Sequence, residues 1–262
     1  MPDRIVCLDG YTLNPGDLEW TPFETLGEFI CHDRTADADI LARAEGVPYL
    51  LTNKTPLTAE TLAQLPALKY VGVLATGVNV VDLEAARERG VTVTNVPSYS
   101  TDSVAQHATG LMLELMRGIG RHAAAVAEGR WVRSEDFAFT VSPIIELTGK
   151  TLGLVGLGRI GVAFGKIGEA MGMRVIAFNR STPAAERLQG LSVELHDLDT
   201  VFREADVLSL HCPLTPDTQH MVNADRLKAM KRSAILINTG RGPLLDAAAV
   251  AAALRDGEIA GA

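Results

Sequence analysis

The chain has 262 residues, of which 47% are hydrophobic, and its formal net charge is −8. This length allows one large domain or two moderate ones, and the apolar content supplies a sizeable core and argues against disorder. The chain has no run of lysine or arginine, which disfavours binding to nucleic acid or to an anionic membrane surface. The amino terminus resembles neither a signal peptide nor a spanning helix. The three scattered cysteines form no disulfide framework or zinc motif, and we expect a cytoplasmic protein without a metal site.

Short β-rich runs alternate with helical runs through the first hundred residues. The runs predicted to be buried strands are RIVCL, EFICH, PYLLT, YVGVL and VTVTN. Segments between them, such as DADILARAEG and DLEAARERG, are predicted to be helices that end at a glycine. Such alternation is typical of a parallel sheet with helices on both faces.

A long helix is predicted next, and its apolar face is expected to comprise Val104, Ala108, Leu111, Met112, Leu115 and Ile119. After a less regular stretch, a second alternating series contains the strand-like runs TLGLVG, RVIAFN, LSVEL, DVLSLH, AILIN and EIAGA. We therefore predict an α/β protein with two doubly wound parallel-sheet domains. The two domains are expected to cover residues 1–103 and 104–262.

The strongest local signal is a G-x-G-x-x-G motif directly after the predicted strand TLGLV. Gly156 permits a tight turn, Gly158 lets the backbone approach a pyrophosphate, and Gly161 lets the helix pack on the strand. Arg159 and Ile160 begin the helix, whose free N–H groups and positive dipole end favour phosphate. The motif predicts a dinucleotide site, and the alternative is a tight turn without a ligand.

The end of the next strand indicates which dinucleotide is preferred. Sites for NAD usually place an Asp or Glu there to hold the ribose 2′-hydroxyl, whereas this chain has Asn179, Arg180 and Ser181. A carboxylate would repel a 2′-phosphate, but Arg180 could form charge-assisted hydrogen bonds with it. We therefore expect NADP(H) to be preferred and NAD(H) to remain possible; the alternative is that Arg180 points into solvent.

Two later strands end in polar residues, at His211-Cys212-Pro213 and at Asn238-Thr239-Gly240-Arg241-Gly242, where open α/β sheets bind ligands. At this point the sequence resembles the D-isomer-specific 2-hydroxyacid dehydrogenases, and within them the glycerate dehydrogenase and hydroxypyruvate reductase group. Four segments carry the resemblance in the order and spacing of the family, and they are VGVLATGVNVVDLEAARERGVTVTNVPSYSTDSVAQH, GLVGLGRIG, LHCPLTPDTQHMVN and INTGRGPLLD.

The resemblance implies a flavodoxin-like substrate domain (1–103) whose C-terminal return is missing from this sequence, a Rossmann nucleotide-binding domain (104–262) that is incomplete at its end, and a cleft between them. It places the catalytic arginine at Arg241, whose guanidinium suits the carboxylate and keto oxygen of a 2-oxoacid. An arginine that only bonds a helix end is the alternative. The loop of Thr76, Gly77 and Val78 matches the family loop whose N–H groups bind the substrate carboxylate. Further cofactor contacts are implied for Val104, Thr109, His211, Cys212, Pro213, Thr218, Thr239 and Gly240.

The implied reaction is reduction of a small 2-oxoacid, such as hydroxypyruvate or glyoxylate, to the D-2-hydroxyacid. Lys54 is the only cation in the expected substrate loops, which mildly disfavours a phosphorylated substrate. An alternative is a nucleotide-sensing protein like the NAD(H)-binding corepressors that share the fold. The resemblance also implies a homodimer formed through the long helix and the Trp131 loop, unless Trp131 packs within its own subunit.

The family uses a histidine as the general acid, and a paired glutamate orients its imidazole and raises its pKa. Both would fall beyond Ala262, since EIAGA resembles the start of a family strand. Of the histidines present, His107 and His211 are expected to contact the cofactor or pack locally, and no Glu stands at a spacing that suggests pairing with a histidine. We therefore assign no general acid and expect at best a feeble reductase. Either this sequence is an incomplete copy of an active enzyme, which we favour, or the protein itself is truncated.

Overall fold

The computed structural model describes residues 3–262, and the chain divides into two compact units at Tyr99 and Ser100. The assignment of residues 1–103 to a substrate domain and of 104–262 to a dinucleotide domain stays a prediction. In the part of the chain that the structure describes, no helix is both long enough and apolar enough to cross a membrane.

The first unit contains a five-stranded parallel sheet in the order β2-β1-β3-β4-β5. Its strands are β1 (Arg4–Cys7), β2 (Glu28–Cys31), β3 (Tyr49–Thr52), β4 (Tyr70–Val73) and β5 (Thr92–Asn95). Its helices are α1 (Thr21–Glu24), α2 (Ile40–Ala44), α3 (Ala59–Ala63) and α4 (Leu83–Glu88), with a 3₁₀ turn at Asp37–Asp39. Thr58 and Asp82 cap α3 and α4 through their side chains, as their residue types favour.

The second unit contains another five-stranded parallel sheet, in the order β10-β9-β6-β7-β8. Its strands are β6 (Thr151–Val155), β7 (Arg174–Phe178), β8 (Glu194–Leu195), β9 (Val207–Leu210) and β10 (Ile235–Asn238). Its helices are α5 (Thr101–Arg117), α6 (Ile119–Ala127), α7 (Arg159–Ala170), α8 (Leu198–Glu204), α9 (Ala224–Ala229) and α10 (Ala247–Arg255), with 3₁₀ turns at Ala185–Leu188 and Gly242–Leu244.

Both sheets confirm the predicted α/β class with two doubly wound parallel sheets. The central strands are buried on both faces, which explains their continuous apolar runs; all five residues of β6 are buried. In each sheet the strand order reverses at one place, between β1 and β3 in the first and between β6 and β9 in the second. Open α/β sheets bind ligands outside the carboxyl ends of the strands at such a reversal.

The long helix differs from the prediction in its length and in its buried face. It ends at Arg117 because Gly118 adopts a left-handed conformation (φ 59°), and α6 begins at Ile119. The side chains of α5 that are buried in the core of the second unit are Ala105, Ala108, Met112 and Met116. The expected face was therefore wrong at Leu111 and Ile119, which are 37% and 53% exposed.

The final run, EIAGA, forms less strand than its sequence suggests. Gly261 makes an isolated bridge to Ile235, and its carbonyl oxygen accepts a hydrogen bond of 2.9 Å from the Leu236 N–H. Ala260 N–H donates to the Ala234 carbonyl oxygen at 2.8 Å. These residues thus run alongside β10 without forming a regular strand.

Candidate functional site

The glycine-rich turn after β6 has three glycines with three different environments. Gly156 has a φ of 103°, and a Cβ atom there would lie 2.7 Å from the carbonyl oxygen of His211. A Cβ on Gly161 would collide with the Gly156 carbonyl oxygen, so this glycine lets α7 approach the turn. A Cβ on Gly158 would meet nothing within 4 Å. The first and third glycines are therefore required by the protein itself, whereas the second borders open space.

The start of α7 has unoccupied hydrogen-bonding capacity. Gly158 is the N-cap residue, and no side chain caps this 12-residue helix. The first N–H groups of a helix have no partner within the helix, and the dipole adds positive potential there. An anionic group placed against Gly158 would accept hydrogen bonds from these N–H groups and would be stabilised by the positive potential. Helix N-termini bind phosphate in this way.

A cavity of about 510 Å³ lies beside this turn, where the strand order of the second sheet reverses. It is bordered by residues that follow β6, β7 and β9. The lining residues are Val155, Gly156, Gly158, Phe178, Asn179, Arg180, Ser181, Arg187, Leu198, His211, Cys212, Pro213, Thr215, Asp217, Thr218 and Met221. Nine of the residues proposed from the sequence as cofactor ligands are thus brought together. Those outside the lining are Val104, Thr109, Arg159, Ile160, Gly161, Thr239 and Gly240.

Asn179, at the end of β7, uses both ends of its amide to stabilise the turn. Its Oδ1 accepts a hydrogen bond of 2.9 Å from the Leu157 N–H, and its Nδ2 donates to the Ser181 carbonyl oxygen at 2.6 Å. The side chain therefore ties the glycine-rich turn to the segment after β7. It also places an uncharged group where many NAD sites carry a carboxylate.

Two charged residues of the cavity were missed by the sequence analysis. Arg187 belongs to the 3₁₀ turn Ala185–Leu188, and Asp217 belongs to the loop after β9. Within residues 3–262, neither Arg180 nor Arg187 forms an ion pair. Arg187 could have been suspected as a second cation soon after β7, but the sequence contains no comparable signal for Asp217.

His211 lies under the turn and is held in the neutral form. Its Nε2 is 2.9 Å from the Ser209 hydroxyl oxygen, and its ring packs edge-on against Phe164 with 5.6 Å between centroids. Burial lowers the pKa of His211 to about 4. A histidine of this kind does not carry a proton near neutral pH, so His211 is unsuited to act as a general acid.

Thr218 lines the cavity, but its hydroxyl group is engaged by its own loop. The oxygen accepts a hydrogen bond of 2.7 Å from the Thr215 N–H, and the hydroxyl donates to the Pro213 carbonyl oxygen at 2.8 Å. The side chain thus closes the loop after β9. Burial raises the pKa of the neighbouring Cys212 thiol, which keeps it protonated.

Arg241 lies in a turn after β10 that is braced by Asn238. The Asn238 Nδ2 donates to the Arg241 carbonyl oxygen at 2.9 Å, and the Gly240 N–H donates to Asn238 Oδ1 at 3.0 Å. The guanidinium itself bonds only the Gly240 carbonyl oxygen, at 3.2 Å, and forms no ion pair within the described residues. The Thr239 hydroxyl is buried without a partner in the same part of the chain. This turn is not part of the cavity lining.

The predicted carboxylate-binding loop belongs to the first unit, directly after β4. The Thr76 hydroxyl donates to the Val96 carbonyl oxygen at 3.0 Å, and the Asn95 Nδ2 donates to the Thr76 carbonyl oxygen at 2.8 Å. Thr76, Gly77 and Val78 are therefore held beside the end of β5. Among residues 3–262, no group of three or more His, Cys, Asp or Glu side chains could hold a metal ion.

One expectation about histidines is wrong. Glu194 and His196 do form a pair, with 3.4 Å between Oε2 and Nε2, because alternate residues of a strand face the same side. Arg174 also bonds Glu194, at 2.6 Å, and keeps the pKa of its carboxyl group at about 2. Arg174 begins β7, Glu194 lies in the exposed edge strand β8, and His196 directly follows that strand; none of the three lines the cavity.

The chain is similar to known proteins over almost its whole length. Residues 109–262 match the model of the D-isomer-specific 2-hydroxyacid dehydrogenase NAD-binding domain. The chain is 44% identical over 263 residues to a hydroxypyruvate reductase from Blautia hydrogenotrophica. The alignment covers 99% of this chain and 81% of the relative. It is 45% identical to a glycerate dehydrogenase from Methylorubrum extorquens, with coverage of 100% and 80%.

A solved structure has the same fold. The crystal structure of the TT0316 protein from Thermus thermophilus superposes with a TM-score of 0.82 at 36% identity, over 98% of this chain and 80% of the other. The open space at Gly158 and the uncapped start of α7 fit the phosphates of a nicotinamide dinucleotide. The chain therefore belongs to the D-isomer-specific 2-hydroxyacid dehydrogenases, oxidoreductases that use a nicotinamide cofactor and act on the CH–OH group of small 2-hydroxyacids.

Proposed function

We propose that this protein reduces hydroxypyruvate or glyoxylate to D-glycerate or glycolate, and that it prefers NADPH to NADH. The cavity beside the glycine-rich turn carries the proposal, because it combines an anion-binding helix start with the ends of three strands. The names of the two relatives described above support the substrate class. When bound, the nicotinamide cofactor would supply the hydride, and water would supply the proton of the new hydroxyl group, because no general acid is assigned among the described residues. The proposed activity of this chain is therefore feeble.

The charges around the end of β7 support the cofactor preference. Arg180 and Ser181 line the cavity, and Arg187 adds a second guanidinium. Asn179 offers no negative charge to oppose a 2′-phosphate, and its amide is already hydrogen-bonded within the protein. Asp217 is the opposing charge in the lining, so the preference depends on the 2′-phosphate binding closer to the arginines.

The comparison of kcat/KM for NADPH and NADH tests this preference. We expect NADPH to be favoured by at least about tenfold, and Arg180→Ala to remove most of that factor, since the guanidinium bonds the phosphate with charge assistance. Binding of 2′,5′-ADP, measured by calorimetry, should weaken in parallel. Arg255→Ala, an exposed arginine of α10 outside the cavity, is the control and should change neither value. A wild-type preference for NADH would refute the assignment.

For the chemical step, Arg241 is proposed to bind the carboxylate and keto oxygen of the 2-oxoacid and to stabilise the charge that develops on that oxygen. Its guanidinium has no carboxylate partner in the described chain and is free to accept one. The N–H groups of Thr76, Gly77 and Val78 are proposed as further ligands of the substrate carboxylate.

Arg241→Lys tests the role of the arginine, because lysine keeps the charge but loses the planar, bidentate geometry. We expect kcat/KM for hydroxypyruvate to fall by about 10²–10³, while the Kd of NADPH stays unchanged. Equal losses in the affinity for NADPH and in turnover would show that the arginine acts on the fold. Binding of NADPH by a full-length clone with no turnover of any small 2-oxoacid would instead favour a nucleotide-sensing role.

A homodimer through α5 and the Trp131 loop is also proposed. The loop exposes Trp131 (53%), Val132 (92%) and Phe137 (94%), and the Trp131 indole N–H donates to the Phe137 carbonyl oxygen at 3.0 Å. Exposed apolar clusters of this kind are typical of interfaces. Light scattering should give the mass of two chains, and Val132→Asp together with Phe137→Asp should shift it to one. A monomeric wild-type protein at micromolar concentration would exclude this dimer.

A further inference from the structure

A buried carboxylate lies at the carboxyl edge of the first sheet. Asp9, just after β1, is 9% exposed. Its Oδ1 accepts hydrogen bonds from the Asn53 N–H at 2.8 Å and from the Thr52 hydroxyl at 3.2 Å. Its Oδ2 accepts from the N–H groups of Lys54 and Thr55. In residues 3–262 no cation pairs with Asp9, so these donors alone compensate the loss of its hydration.

Asp9 lies where the strand order of the first sheet reverses. The strand order reverses between β1 and β3, and Asp9 and the loop 53–55 follow these two strands. This is the crevice in which sheets of this topology usually bind a ligand, and three successive N–H groups there would form an anion site. The Asp9 carboxylate already occupies those N–H groups. The loop after β3 is therefore fixed from within, and a substrate must use the backbone of a neighbouring loop.

Asn53 connects this anchor to the neighbouring loop. Its Nδ2 donates to the Leu74 carbonyl oxygen at 2.7 Å, directly before the segment that contains Thr76, Gly77 and Val78. The opposite side of that segment is held by Asn95, and the Val96 N–H donates to the Ala75 carbonyl oxygen at 3.2 Å. The loop after β4 is thus clamped between Asn53 and the end of β5.

We propose that Asp9 and Asn53 are positioning residues for the substrate. Asp9 fixes the backbone of Asn53, and the Asn53 amide then holds the Leu74 carbonyl oxygen, so that the backbone of Thr76–Val78 keeps the conformation that binds a 2-oxoacid carboxylate. The inference rests on the proposed function of that loop. The affinity of the Thr76–Val78 loop for a carboxylate then depends on two side chains that need not touch the substrate.

Asn53→Ala tests the inference. The variant should raise KM for hydroxypyruvate and the Kd of oxalate, a planar analogue of glyoxylate, by about tenfold each, with kcat, KM for NADPH and the Kd of 2′,5′-ADP nearly unchanged. Asn14→Ala is the matched control, because Asn14 also braces a loop of the first unit, bonding Gly16 and Leu18, without contact to Leu74. It should leave the affinity for oxalate unchanged.

A purely structural role would give a different pattern. Asn53→Ala would then lower the melting temperature and the active fraction while KM for hydroxypyruvate and the Kd of oxalate stayed at their wild-type values, and this result would overturn the inference. Asp9→Asn is a second test, since it should shift KM in the same direction as Asn53→Ala; if it does not fold, Asn53→Ala still decides. A wild-type protein that neither binds oxalate nor turns over hydroxypyruvate would refute the proposed function itself, and the inference with it. Normal wild-type binding with an unaffected Asn53→Ala variant would refute only the inference.

Discussion

The enclosed His211 makes the stability of the protein depend on pH, and the size of the effect can be worked out. Burial lowers its pKa to about 4 in the folded protein, whereas an unfolded chain has the ordinary value of about 6.5. Between these values the unfolded chain binds more protons, so acid favours unfolding. The stability contributed by the neutral imidazole is fully present above about pH 6.5 and is lost as the pH falls toward about 4.

The pKa difference of about 2.5 units limits the loss to about 3 kcal/mol, of which about 2 kcal/mol should be gone by pH 5. The assay is urea unfolding at about pH 7.5 and pH 5 for the wild type and for His211→Gln. Other titrating groups contribute equally to both proteins, and the altered contact with Ser209 gives an offset that does not depend on pH. The wild type should therefore lose about 2 kcal/mol more than the variant over this interval. Equal losses in both proteins would refute the reasoning.

Three further predictions concern the glycine-rich turn, the core and a buried thiol. Gly158→Ala should change the free energy of unfolding by less than about 1 kcal/mol yet abolish binding of 2′,5′-ADP, as measured by urea titration and calorimetry. Gly156→Ala should destabilise the protein by more than about 2 kcal/mol, because Gly156 has a φ of 103° and its Cβ would approach the His211 carbonyl oxygen. A destabilised Gly158→Ala variant would contradict the finding that a Cβ atom at Gly158 meets open space. Phe164→Ala, at a fully buried position, should cost about 3–5 kcal/mol in the same titration, and a cost below about 1 kcal/mol would mean that the core collapses onto the vacancy. Burial raises the pKa of the Cys7 thiol to about 12, so mass spectrometry should find it unalkylated by iodoacetamide at about pH 8 in the native protein and alkylated in urea; rapid native alkylation would contradict its burial.

The sheets were predictable because their strands are buried on both faces and their turns are marked by glycine. Runs such as YLLT and ILIN have no polar alternation, and this is the pattern of a parallel sheet covered by helices. The break of the long helix at Gly118 was not predictable, since a glycine within a helical pattern is often tolerated. The buried face of α5 followed the packing against α7 and β10, which no periodicity of a single helix specifies.

The candidate site was predictable at positions where the backbone conformation permits only one residue type. Gly156 and Gly161 are required by the backbone whether or not a ligand binds. The use of Asn179 was not predictable, because an amide can bond a ligand or its own turn, and only the fold brings Leu157 and Ser181 to it. Thr218 is similar, since its hydroxyl closes a loop. The Glu194–His196 pair could have been found from the two-residue spacing along a strand.

All strand pairs of the first sheet are made by residues 4–95, with no contribution from the second unit. During synthesis, these five strands therefore leave the ribosome before α5 does. The apolar strands β3 and β4 can pair as soon as they emerge, which shortens the time for which their edges are open to association with other nascent chains. The order of the elements along the chain thus favours early pairing of this sheet.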